Sequence, residues 1–397
     1  MNLSRLFAAG IVAATCATSP AHADFKFDYA VTPITNYSAA AGYGFEPGPV
    51  MIKENNGLTS TNPFYFSLKV PEGNYKVSVT FAGESTNTVK AELRRLMLEN
   101  VCVPAGKTET RSFIVNIRTP KISATNHVHL KPREESSEIW DWDDKLTLEF
   151  NGTHPVIQTI QADRVDVPTV YLLGDSTVCD QPAEPWNSWG QMLTRFFKPD
   201  VAVANHAESG ETVADSLHAQ RFEKVFGLMK PGDYFFIQFG HNDMKSKATN
   251  ALEMYHANLK KVVERTRKLG GTPVLVASME RKAGVQKETL MGYPQAVRDV
   301  AKEENCALID LNAMSVVFYK ALGPDLDKAF QDPTHHNNYG SYELAKCVVE
   351  GIKQANLPLA KYIVDDFGSF DPAKPDPVAT FQMALSPNVS TEKPLGN

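Results

Sequence analysis

A serine hydroxyl attacks an ester only when a base takes its proton, and a histidine serves as that base when a carboxylate orients it. The 397-residue sequence holds such a set. Ser176 closes the run Thr169-Val170-Tyr171-Leu172-Leu173-Gly174-Asp175-Ser176-Thr177, where an apolar stretch stops in a tight polar turn. Asp332-Pro333-Thr334-His335 puts a carboxylate and an imidazole three residues apart, close enough to meet on one turn. His336 is the neighbouring alternative base, and the Asp-x-x-His spacing favours His335. The tetrahedral intermediate of acyl transfer carries an oxyanion that needs preplaced donors. Three are on offer: the N–H of Ser176, the N–H of Gly210 in Asn205–Thr212, and the side-chain amide of Asn242 in Gly240-His241-Asn242-Asp243. Singly these are turn residues, and Gly210 alone signals only a positive φ. Together, on loops at one sheet edge, they form an acyl-transfer constellation.

The elements that would position them follow Pro168. Five short apolar runs, Thr169–Leu173, Val201–Asn205, Asp233–Gln238, Pro273–Ala277 and Ala307–Asp310, read as buried strands. Helical patterns over Trp189–Phe197, Val213–Met229, Ala251–Leu269 and Glu288–Glu304 separate them, and a last helix follows Gly340-Ser341 and ends before Pro358. Strands alternating with helices predict an α/β domain over residues 168–364, with a parallel sheet covered on both faces. Ligands then bind beyond the carboxyl ends of the strands, with the Ser176 N–H near the start of a helix. Met279-Glu280-Arg281, after the fourth strand, reads as a solvated loop. Cys179, without an assigned base, reads as structural. Beyond Asp365, Pro and polar residues predict an extended tail, 365–397.

Residues 24–167 show period two instead. Phe64–Val70 and Tyr75–Phe81 flank Pro71-Glu72-Gly73-Asn74 and read as a hairpin, with Arg111–Ile117 and Lys145–Phe150 as further half-buried strands. Short strands broken by Gly, Pro and Asn predict an all-β sandwich of jelly-roll type with no catalytic constellation. Trp140-Asp141-Trp142-Asp143-Asp144 could stack on a sugar or bind Ca²⁺; a loop covering the sheet edge or the domain junction is favoured.

Composition bounds the function. The net charge of −6, spread without a Lys/Arg cluster, argues against nucleic acid, and no stretch is apolar enough to span a membrane. Arg5, the apolar Leu6–Ala17 and Ala21-His22-Ala23 predict a signal peptide over residues 1–23, cleaved after Ala23, and hence a secreted or periplasmic protein. Cleavage leaves Cys102, Cys179, Cys306 and Cys347, for which two disulfides in three connectivities are allowed. No Cys or His spacing predicts a metal site, and no cofactor is implied.

Four ordered blocks, Gly174-Asp175-Ser176, Gly210, Gly240-His241-Asn242-Asp243 and Asp332-Pro333-Thr334-His335, resemble those of the SGNH (GDSL) hydrolase superfamily over about residues 167–363. Ser176–Asp180, Trp189-Gly190-Gln191 and Thr334-His335 before Asn338-Tyr339-Gly340 are similar to its rhamnogalacturonan acetylesterase branch. The resemblance implies a flavodoxin-like three-layer α/β/α domain and removal of O-acetyl groups from a pectic polysaccharide. It implies Ser176 as nucleophile, His335 as base, Asp332 as its orienter, and Ser176, Gly210 and Asn242 as oxyanion donors. The sandwich resembles the galactose-binding-like accessory domains attached to such esterases. Arg281 would then be within reach of a galacturonate carboxylate. The alternatives are an esterase acting on acetylated xylan or another ester, and a non-catalytic polysaccharide-binding protein.

Overall fold

Side chains that alternate along a strand put one face of it into a shared interior. In the computed structural model, which describes residues 25–54 and 56–395, two antiparallel sheets face each other in this way. One carries, in spatial order, Ile52–Glu54, Gly57–Thr59, Ile157–Val165, Gly73–Ala82 and Thr108–Ile117, with Phe25–Asp28 also paired to Ile157–Val165. The other carries Tyr43–Phe45, Phe64–Lys69, Lys145–Thr153, Ser85–Ala91 and Arg95–Val103. Phe27, Val77, Val79 and Ile160 meet Phe66 and Leu148 between them, with Phe27 and Phe66 edge-on at 5.0 Å. The predicted leader, residues 1–23, lies outside the described residues.

The expected hairpin is not formed. Phe64–Lys69 pairs with Lys145–Thr153, whereas Gly73–Ala82 pairs with Ile157–Val165 in the opposite sheet. The chain therefore arches from sheet to sheet through Pro71, and the Val70 N–H donates to the Asp144 carbonyl at 2.9 Å. Period two is the same for an arch and a hairpin, so alternation does not separate them.

All five predicted buried runs become parallel strands. Their spatial order is Ala202–Asn205, Thr169–Gly174, Tyr234–Gln238, Thr272–Val276, Ala307–Ile309, which in chain order is 2-1-3-4-5, the flavodoxin arrangement. Alternate residues sort to opposite faces: Val170 and Leu172 join a core with the helices Trp189–Leu193, Leu311–Leu322 and Asn338–Gln354. Tyr171 and Leu173 join another with Arg221–Leu228, Ala251–Lys268 and Tyr293–Glu303.

Helix boundaries shift for local reasons. The predicted 213–229 helix breaks into Val213–His218 and Arg221–Leu228, with Gln220 left-handed at φ 65 between them. Gly292, at φ 83, delays the next start to Tyr293. Leu311–Leu322 was not predicted; the Asp310 carboxylate accepts the Ala313 N–H and caps it directly after its strand. The last helix starts at Asn338, earlier than predicted, because the Asn337 side chain accepts the Gly340 N–H. All four described cysteines are free, so neither allowed disulfide forms. No described helix is long and apolar enough to cross a membrane.

The chain beyond Asp365 is extended but docked. The Ser386 hydroxyl meets Glu149 at 2.8 Å, its N–H meets Glu184 at 3.0 Å, and the Ser390 carbonyl accepts the Trp186 indole N–H at 3.1 Å.

Candidate active site

Close approach fixes the nucleophile turn first. A Cβ on Gly174 would lie 2.5 Å from the Gln238 carbonyl, and one on Gly190 would lie 2.1 Å from the Val178 carbonyl, so only glycine lets these segments pack. The Asp175 carboxylate accepts the Thr177 N–H at 3.0 Å and its hydroxyl at 2.7 Å, closing the turn that carries Ser176. The next helix begins only at Trp189, so Ser176 stands on an isolated turn and not at a helix start as expected.

Ser176 and His335 meet across 159 positions of sequence: the Ser176 hydroxyl lies 2.8 Å from His335 Nε2. His335 Nδ1 lies 2.9 Å from Asp332 Oδ2, while Asp332 Oδ1 accepts the N–H groups of Thr334 and His335 at 2.7 Å each. Burial opposes the ionisation of Asp332, but the His335 ring and these N–H groups outweigh it and hold the carboxyl well below its ordinary value. A carboxylate on Nδ1 leaves Nε2 directed at the serine, the tautomer a general base requires. His336 points elsewhere. Its Nε2 meets the Tyr319 hydroxyl at 2.9 Å, and burial followed by the nearby His335 lowers it to about 3. His336 is therefore not placed to take a proton from Ser176.

Gly210 adopts φ 77 on the turn after the second strand. Asn242 Nδ2 donates to the Glu211 carbonyl at 3.1 Å and its Oδ1 accepts Lys245 at 2.9 Å, which fixes the amide and leaves its second N–H for another acceptor. Gln181, which sequence reasoning missed, ties this turn to Ser176. Its Nε2 donates to the Ser176 carbonyl at 2.8 Å and to the Ser209 hydroxyl at 3.3 Å. Asp243 anchors the Val213 N–H at 3.0 Å, and burial pushes its carboxyl to about 7. Cys179 is buried against the Ser209 hydroxyl at 3.2 Å, and burial raises its thiol well above the ordinary value, which fits a structural role. Among the described residues no group of three His, Cys, Asp or Glu could hold a metal ion.

Both halves build the surroundings. Trp186 stands edge-on to His335 at 5.9 Å, and its carbonyl and that of Gln181 accept Arg94 from the antiparallel half at 3.0 and 3.1 Å. Lys131 reaches over to the Ser209 carbonyl at 2.6 Å and to Glu211 at 2.7 Å, on either side of Gly210. Trp142 is buried at the junction under the Arg118 guanidinium, 4.6 Å away, and not displayed for a ligand. Neither Arg94 nor Lys131 sits in a pattern that sequence could flag. Met279 and Glu280 are buried and Arg281 half-buried, so this segment is packed, not the solvated loop expected.

A serine–imidazole–carboxylate relay at the carboxyl edge of a 2-1-3-4-5 parallel sheet defines a class: a carboxylic ester hydrolase of the α/β/α type. Comparison with known proteins agrees. The GDSL-like Lipase/Acylhydrolase family profile matches residues 172–341, a span that holds Ser176, Gly210, Asn242, Asp332 and His335. The rhamnogalacturonan acetylesterase RhgT of Bacillus subtilis (strain 168) is 34% identical over 221 residues, covering 50% of this chain and 95% of that protein. The probable rhamnogalacturonan acetylesterase YesY of the same organism is 30% identical over 212 residues, covering 50% of this chain and 98% of that protein. The uncharacterized esterase YxiM, also of Bacillus subtilis (strain 168), is 25% identical over 333 residues, covering 80% of this chain and 81% of that protein. The chain belongs to the GDSL-like lipase/acylhydrolase family, as the ordered sequence blocks implied.

Proposed function

We propose that this protein is an exported serine esterase that removes O-acetyl groups from a pectic polysaccharide of the acetylated rhamnogalacturonan type. The observation that carries the mechanism is the relay from Ser176 through His335 to Asp332, at 2.8 and 2.9 Å. The relatives named rhamnogalacturonan acetylesterase support the substrate. Export rests on the leader pattern of residues 1–23.

In the first half-reaction Ser176 Oγ attacks the acetyl carbonyl carbon while its proton passes to His335 Nε2. Asp332 stays ionised and stabilises the imidazolium. The N–H groups of Ser176 and Gly210, with the free N–H of Asn242, receive the oxyanion. Collapse of the intermediate expels the sugar oxygen, which takes the proton from His335, and leaves acetyl-Ser176. Water then gives a proton to His335 and attacks the acyl carbon; acetate leaves and Ser176 regains its proton. No cofactor enters this sequence. Residues 24–167 act as an accessory sandwich whose loops brace the catalytic turns.

The test is acetate release from acetylated rhamnogalacturonan, homogalacturonan and xylan by the wild type and Ser176→Ala. Release from a pectic substrate that vanishes in the variant is expected. Undiminished release by Ser176→Ala would overturn the mechanism, and release from xylan alone would overturn the substrate.

A further inference from the structure

The His241-Asn242 dipeptide carries two cations. Lys245 Nζ donates to Asn242 Oδ1 at 2.9 Å, and Arg281 Nη2 donates to the adjoining His241 carbonyl at 3.2 Å. The segment bearing Arg281 is held between the two functional turns. Met279 gives its carbonyl to His241 Nε2 at 3.0 Å, and the Lys282 N–H meets the Pro333 carbonyl at 3.0 Å, next to Asp332. Two positive charges thus stand on the rim that runs from Asn242 to the Asp332–His335 turn.

Among the described residues neither Lys245 nor Arg281 lies within ion-pair distance of a carboxylate, although the adjacent Lys282 meets Asp327 at 3.0 Å. Arg281 Nε is buried and has no hydrogen-bond partner. Asp175, Glu280 and Asp332 act on Arg281 only from beyond ion-pair distance, and each bonds another group: Thr177, the Thr289 N–H and hydroxyl at 3.1 and 2.7 Å, and His335. Desolvation, and then the Arg281 charge, lowers Lys245 from its ordinary value, so the two cations feel each other. A carboxylate that meets the half-buried Arg281 and the exposed Lys245 gains from both charges. A guanidinium with an unused N–H beside an ammonium suits a carboxylate in particular.

We propose that Lys245 and Arg281 form a subsite for the carboxylate of a uronic acid, so that the acetyl ester is presented on or next to a uronate sugar. The inference rests on the carbohydrate esterase reading and names the chemistry of its substrate. The anion would lie beside Asn242, which ties sugar recognition to the oxyanion side of the site.

The experiment measures inhibition of 4-nitrophenyl acetate hydrolysis by unacetylated oligogalacturonate and by a neutral galacto-oligosaccharide of equal length. The proteins compared are the wild type, Arg281→Gln, Lys245→Gln and Arg281→Lys. Oligogalacturonate is expected to compete better than the neutral oligomer, with an inhibition constant about tenfold or more weaker in each Gln variant. Arg281→Lys, which keeps the charge, is expected to recover part of the loss. Inhibition by the uronate oligomer that is equal in all four proteins would overturn the proposal. So would a loss that appears equally in the kcat for the neutral ester with no change in oligogalacturonate competition, since that is the mark of charge balance around Asp175 and Asp332. Because the readout uses a neutral ester, it stands even if acetylated rhamnogalacturonan is not cleaved, a result that would count against the polysaccharide assignment alone.

Discussion

Two buried polar regions of this molecule are built on opposite plans. The relay at Ser176 uses three side chains, two of them three residues apart on one turn, joined by two hydrogen bonds that both involve His335. The junction between the halves gathers charges from distant positions. Glu134 clasps Arg221 through paired bonds at 2.9 and 2.6 Å, Arg95 meets Asp141 at 3.2 Å and Asp180 at 3.0 Å, and Lys224 meets Glu72 at 2.6 Å. Asp332 and Asp180 show what the plans do to the same side chain. His335 and backbone N–H groups overcome burial and keep Asp332 ionised; at Asp180, burial and then the Asp141 charge push the carboxyl up to about 8. A functional charge is thus sustained by donors aimed at it, whereas a structural charge is shared within a crowd. On the function proposed, the first plan serves turnover and the second serves rigidity, so substitutions in the two should separate activity from stability.

The widest separation is expected at Ser176→Ala. It should cut kcat by about 10⁶, as loss of a nucleophile does in other serine hydrolases. Its thermal unfolding should stay near the wild type, and a large fall in Tm would blur the comparison. Next comes Asp332→Asn, which should cost about 10⁴ in kcat through the wrong imidazole tautomer. Steady-state rates checked against the circular-dichroism melt read both sides of that claim. At the junction the sign reverses. Arg221→Met leaves Glu134 buried without its partner and should cost about 3–5 kcal/mol in denaturant unfolding. Its kcat, measured where the variant is folded, should hold far better than that of Asp332→Asn.

The last expectation is a pH slope. The folded Asp180 carboxyl keeps its proton up to about 8, whereas the unfolded chain releases it near the ordinary value of 3.8. Its stabilisation is complete below about pH 4 and is lost as pH rises towards 8. Asp180→Asn should flatten that part of the stability profile, and parallel profiles in both proteins would refute the assignment.

The same contrast explains what was legible in the sequence. Ser176, Gly210, Asn242 and the Asp332–His335 pair each follow an apolar run or sit within one turn, so strand periodicity and local spacing find them. The five strands were legible for that reason, and Leu311–Leu322 was missed only because its Asp310 cap follows the strand without a break. The junction was not legible, because Glu134 and Arg221 stand 87 residues apart and each reads as an ordinary solvated charge. Trp142 needed the fold to show it beneath Arg118, and the arch at Pro71 needed the pairing of both sheets. Arg281 was noticed in the sequence, but Lys245 becomes notable only once both are seen beside His241 and Asn242 without a carboxylate at ion-pair distance.

The docked strand near Ser386 gives the molecule a timetable. Lys90, buried among Arg94, Glu149 and Glu184, completes its bonding with the Ala384 carbonyl and the Ser386 hydroxyl, both at 2.8 Å. A ribosome makes Lys90 early and Ser386 almost 300 residues later, 296 by count. Until then the ammonium lacks its final partners, and the molecule lacks this one fastening. Whatever order the sheets fold in, this stitch waits for the synthesis of residue 386.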